Sequence, residues 1–206
     1  MNELNSILQE ATAEIEAGYF WLAVAGADAP IYRERVYCYE LYHQMRLCWP
    51  KVGCEFVLNG EVDKKGHRIL GPRGVGGIPD FVVHKPGDMN GNHAIIEVKP
   101  PFAQYRHTAI DLQKLTRFVK DAGYERAIYL IYGIEAEQMI EPILEIAKSI
   151  RGLAPIELWL PASRTSRRAF NDDRNARGIA TVGRTRLPDL SGFAGSVSGA
   201  SRARPA

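Results

Sequence analysis

Ile78-Pro79-Asp80-Phe81-Val82-Val83 and, a short stretch later, Ala94-Ile95-Ile96-Glu97-Val98-Lys99 decide how this chain is read. Both runs are apolar, β-branched and of strand length, and Lys85-Pro86-Gly87-Asp88-Met89-Asn90-Gly91-Asn92 between them is made of turn residues. Two neighbouring strands of a meander follow. The charges then stand out: Asp80 lies at the start of the first run, while Glu97 and Lys99 are two apart on the second and so share a face. Carboxylates held together repel one another and raise each other's pKa unless a cation separates them. Hard oxygen donors of this kind suit Mg²⁺, for which Mn²⁺ substitutes.

Pro79-Asp80, a strand-turn-strand spacer and Glu97-Val98-Lys99 resemble the signature of the PD-(D/E)XK nuclease superfamily. The resemblance implies a restriction-endonuclease-like αβββαβ core, an α/β fold with a central mixed sheet flanked by helices. It also implies that Asp80 and Glu97 bind the metal with the Val98 carbonyl, that Lys99 orients and activates the attacking water, and that a helical acid extends the site. Glu40 is the candidate for that acid, on a stripe with Arg33, Tyr37 and Gln44, and Glu34 is its less favoured substitute. The implied activity is Mg²⁺-dependent hydrolysis of DNA phosphodiester bonds. The competing reading is a catalytically inactive or partner-dependent nucleic-acid-binding subunit with the same fold.

The rest of the chain is read as support for these strands. Residues 2–17 have a helical apolar period, and residues 1–29 form an N-terminal helical extension. A second helix is expected over residues 30–49, with Pro30 in its first turn. Residues 54–62 form the first meander strand and residues 63–66 a hairpin turn into residues 67–70. Gly71-Pro72-Arg73-Gly74-Val75-Gly76-Gly77 lacks the Gly-Lys-Ser/Thr ending of a phosphate-binding loop, yet it feeds Asp80 and offers Arg73 to a substrate phosphate.

After Pro100-Pro101 a helix over residues 105–122 carries Asp111-Leu112-Gln113-Lys114-Leu115, which is similar to an Asp-x-x-Lys-Leu pattern of stand-alone superfamily members. Gln113, Lys114 and Arg117 are its candidates for nucleic-acid contact. A strand at 126–132, a helix at 135–150 and a strand at 156–160 complete a domain over residues 30–161.

Composition bounds the function. The 206 residues are 46% hydrophobic and 24% charged, which is a globular balance, and no apolar run reaches membrane-spanning length. A cytoplasmic protein is expected, because Met1-Asn2-Glu3-Leu4 lacks a basic signal-peptide start. Cys38, Cys48 and Cys54 have no paired spacing, which argues against a disulfide framework or a zinc site. The net charge of +2 hides nine arginines against three aspartates after Pro161. Residues 162–206 thus read as a basic, disordered tail that attracts nucleic acid. No recognition domain is visible, so a partner protein, a structure-specific substrate or a homodimer with two sites is expected.

Overall fold

The computed structural model describes residues 3–62, 77–133, 135–161 and 183–187, with the side chains of 183–186 left undescribed. Arg73 and the expected strand at 67–70 lie outside them. Among the described residues the fold is α/β: a six-stranded mixed sheet with helices on both faces, and a separate two-stranded ribbon.

In chain order the elements are α1 (Leu4–Glu14), β1 (Trp21–Leu22), β2 (Ile31–Tyr32), α2 (Glu34–Cys48), β3 (Val57–Gly60), β4 (Phe81–His84) and β5 (Asn92–Lys99). They continue with α3 (Tyr105–Ala122), β6 (Arg126–Ile131), α4 (Ile140–Ser149), β7 (Glu157–Leu160) and β8 (Gly183–Arg186). β1 and β2 pair as the ribbon, and the main sheet runs β3-β4-β5-β6-β7-β8. β3, β4 and β5 are antiparallel neighbours, β5, β6 and β7 run parallel, and β8 returns antiparallel to β7. The parallel pairs need crossovers, which α3 and α4 provide.

Strand alternation sorts the core into two layers. Ala94, Ile96 and Val98 of β5 point with Phe81 and Val83 of β4 towards α1 and α2. Ile95 and Val82 point the other way, into a cluster built on α3 and α4. By the same alternation Asp80, Glu97 and Lys99 belong to the α3 side. β5 is buried almost throughout because helices cover both of its faces.

α1 is part of this core: Leu4, Ile7, Leu8 and Ala11 lie in one cluster with Tyr37, Leu41 and Met45 of α2. Arg126 on β6 pins it further, donating to both oxygens of Glu157 at 2.9 and 2.7 Å and to Asn5 Oδ1 at 2.7 Å.

Three local expectations change. Ile31–Tyr32 is extended and pairs with Trp21–Leu22, so α2 starts after Arg33 and not at Pro30. Ala136–Met139 is a 3₁₀ turn ahead of α4, because Pro142 has no N–H for the carbonyl four residues back and fits the first turn of a helix. Within the basic tail, Gly183–Arg186 forms β8 on β7, and Leu187 behind it is wholly buried, its N–H bonded to the Ile156 carbonyl at 2.9 Å. That segment of the tail is ordered, in contrast to the reading from composition.

Gly123 ends α3 in the left-handed region at φ 73°, and nothing lies within 4 Å of the position its Cβ would take. Gly123→Ala should therefore cost about 1 kcal/mol through backbone strain alone. Urea denaturation checks this, and an unchanged midpoint would refute it.

Candidate active site

β4 and β5 deliver the central groups. The Asp80 carboxylate, just ahead of β4, accepts the Val98 N–H at 2.7 Å, which ties it to β5. Glu97 and Lys99 follow on β5, with Lys99 Nζ 3.0 Å from Glu97 Oε1. Both are sequestered, at 4% and 14% side-chain exposure.

α3 completes the site. Thr108, Asp111, Leu112, Leu115 and Phe118 form its buried stripe, and Asp111 is the acid inside it. Asp111 stands 3.8 Å from Lys99 Nζ and 3.6 Å from Lys114 Nζ. Lys114, one turn further along α3, brings Nζ to 2.6 Å from Glu97 Oε2. The contact is an ion pair without hydrogen-bond geometry, so this wholly buried oxygen has no hydrogen-bond partner.

The helical acid at the site is Glu34. Its Oε1 lies 3.1 Å from Lys99 Nζ, whereas Glu40, the acid favoured from the sequence, accepts a 2.6 Å bond from Gln44 on its own helix. The reason lies in packing. Tyr37 stacks on Tyr132 with centroids 3.9 Å apart and planes 7° apart, and Tyr132 directly follows β6, whose Ile131 is the register partner of Lys99. This stack holds the first turn of α2 at the ends of β5 and β6. Glu40 is six residues further on, about 9 Å along the axis. Glu34→Ala should accordingly lower any Lys99-dependent activity about tenfold and Glu40→Ala should not. Parallel rates of the two variants check this, and a larger loss with Glu40→Ala would contradict it.

Four carboxylates, Glu34, Asp80, Glu97 and Asp111, thus share two ammonium groups, and the cluster is short of two positive charges when all are ionised. Burial and the neighbouring Glu97 push Asp80 up to about 7, against the opposing pull of Lys99 and the Val98 N–H. Asp111 rises to about 6 for the same two reasons. Burial acts to lower the Lys99 pKa, but Glu97, Asp80, Asp111 and Glu34 together raise it, so it stays an ammonium ion. Beside the cluster is a cavity of ≈ 410 Å³ lined by Glu34, Lys99, Pro100, His107, Ile110 and Asp111 among others.

No family model, curated protein or solved structure matches this chain.

The geometry brings Asp80, Glu97, Val98, Lys99 and Lys114 together and leaves other candidates outside. Gln113 and Arg117 are exposed on α3 and form no part of the cluster. Asp111 heads the Asp-x-x-Lys-Leu pattern of the sequence but had no place among the candidate site residues. Its signal was an acid in the apolar stripe of an amphipathic helix, three residues before Lys114.

The donor set suits a hard divalent cation in chemistry and charge: oxygen donors whose crowding pushes Asp80 and Asp111 up, a deficit of two charges when all are ionised and one buried oxygen without a hydrogen bond. As the side chains lie, no three His, Cys, Asp or Glu among the described residues form a group able to hold a metal, and the lysines fill the space between the carboxylates. Among the described residues no helix is long and apolar enough to cross a membrane.

Proposed function

We propose that this protein is a metal-dependent nuclease with the restriction-endonuclease-like αβββαβ core, hydrolysing DNA phosphodiester bonds. The observation that carries the reading is the set of Asp80, Glu97 and Lys99, with Lys99 lining a cavity, inside a carboxylate cluster short of two positive charges when all its acids are ionised. A salt-bridge cluster that served stability alone would gain little, since burying charges costs several kcal/mol apiece before pairing repays it. The helix-meander-helix-strand order from α2 to β6 supports the same assignment.

In this reading Asp80 and Glu97 would hold Mg²⁺, with the Val98 carbonyl as a further oxygen donor. Such an ion, when bound, would supply charge neutralisation at the phosphate and lower the pKa of water. Lys99 donates a hydrogen bond that fixes the attacking water and balances charge on the phosphate oxygens. Glu34 and Asp111 hold the Lys99 ammonium in place from either side. Arg73, Gln113 and Arg117 remain candidates for the nucleic-acid backbone, and a second copy or a partner protein would bring target recognition.

The two lysines already among the carboxylates favour one alternative, a subunit that binds nucleic acid without cutting it. Incubation with end-labelled duplex DNA, single-stranded DNA and RNA in Mg²⁺, Mn²⁺ and EDTA separates the two. Metal-dependent cleavage of DNA is the result expected. Retention of DNA without cleavage in either metal would replace the nuclease reading with the binding one.

A further inference from the structure

We infer that Lys114 is a resident counter-ion of the carboxylate cluster, which a divalent metal displaces from Glu97 on binding. The inference rests on the metal-dependent reading above and assigns a competing role to a side chain of α3.

Lys114 is placed for such a role. Its Nζ is 2.6 Å from Glu97 Oε2, on the opposite carboxylate oxygen from the one Lys99 holds, and 3.6 Å from Asp111 Oδ1. Glu97 Oε2 is buried and lacks a hydrogen-bond partner, so the ammonium opposes its charge without giving it a directed bond. A small oxygen-seeking cation offers that oxygen a better partner.

The lysine also has a track for its stem. A Cβ on Gly77 would stand 3.2 Å from Lys114 Cδ, so the glycine just ahead of Ile78-Pro79-Asp80 leaves room for the chain to lie there. Lys99 is enclosed between Glu34, Glu97 and Asp111. Lys114 has contacts only with Glu97 and Asp111 among the ion pairs of the described residues, and its four-carbon stem lets Nζ turn outward when the site fills.

A competing cation weakens metal binding, and its removal strengthens it. Calorimetric titration of Mn²⁺ into metal-free wild type, Lys114→Met, Lys114→Arg and Glu97→Gln reads this directly, with circular dichroism confirming that each variant is folded. The expected result is at least tenfold tighter binding by Lys114→Met, wild-type affinity within a few-fold for Lys114→Arg, and loss of binding in Glu97→Gln. Unchanged or weaker binding by a folded Lys114→Met, with Glu97→Gln still abolishing it, overturns the inference and leaves the metal site standing. Absence of binding in both wild type and Lys114→Met overturns both.

Lysine acetylation of the wild-type protein, followed by mass spectrometry with and without Mn²⁺, covers the case in which Lys114→Met fails to fold. Lys114 should become several-fold more reactive with metal relative to the exposed Lys51. Equal reactivity in the presence of bound metal contradicts displacement.

Discussion

If the proposed nuclease activity is right, Lys99→Met should lower the single-turnover rate of DNA cleavage at least about a hundredfold while the protein still binds Mn²⁺. The methionine keeps the length and apolar stem of the side chain but removes the ammonium that Glu97 holds at 3.0 Å and Glu34 at 3.1 Å. Those two contacts hold Lys99 among the residues that line the cavity, where its ammonium could orient a water and meet a phosphate oxygen. Its loss removes a positive charge from a four-carboxylate cluster, which favours metal and disfavours the anionic transition state. Rate and metal affinity should therefore move in opposite directions. A fall in rate explained entirely by lost metal or lost fold would show that Lys99 is structural.

Asp80→Asn should stabilise the metal-free protein at pH 8 by on the order of 4 kcal/mol and at pH 5 by less than half as much. Burial and Glu97 raise the Asp80 pKa from an ordinary 3.8 to about 7. The native state thus binds the proton more tightly than the unfolded chain does. The stability this contributes is complete below about pH 4 and is lost as pH rises through about 7, where a buried carboxylate must ionise beside Glu97. Asparagine never ionises, and its carbonyl oxygen still accepts the Val98 N–H. Urea denaturation in EDTA at pH 5 and pH 8 measures the difference. A pH-independent gap, or a less stable variant at pH 8, would mean that Asp80 is not under electrostatic strain.

The strands carrying the site were legible because their signal is local. Ala94–Lys99 is a continuous apolar run broken only by two charges of the same parity, and parity alone puts Glu97 and Lys99 on one face. The bounds of α3 could be read for a similar reason, since Pro100-Pro101 stops the strand and Gly123 caps the helix.

What escaped depended on distant partners. Glu34 and Glu40 lie on the same helix and carry the same charge; the Tyr37–Tyr132 stack chooses between them, and no window of sequence contains both tyrosines. β8 is four residues with two arginines and one threonine, and it becomes a strand by pairing with β7. Ile31–Tyr32 looks like the first turn of a helix after a proline until Trp21–Leu22 is beside it. Lys114 was legible as a basic residue on an amphipathic helix, but whether it met solvent phosphate or a buried Glu97 was decided by how α3 docks on β5.

The central claim is most directly tested by nicking of supercoiled plasmid by wild type and Glu97→Gln, each with Mg²⁺ and with EDTA. Wild type should convert the plasmid to nicked and linear forms in Mg²⁺ alone, and Glu97→Gln should do so at least about a hundredfold less. Equal nicking by the two proteins, or nicking that survives EDTA, would contradict it.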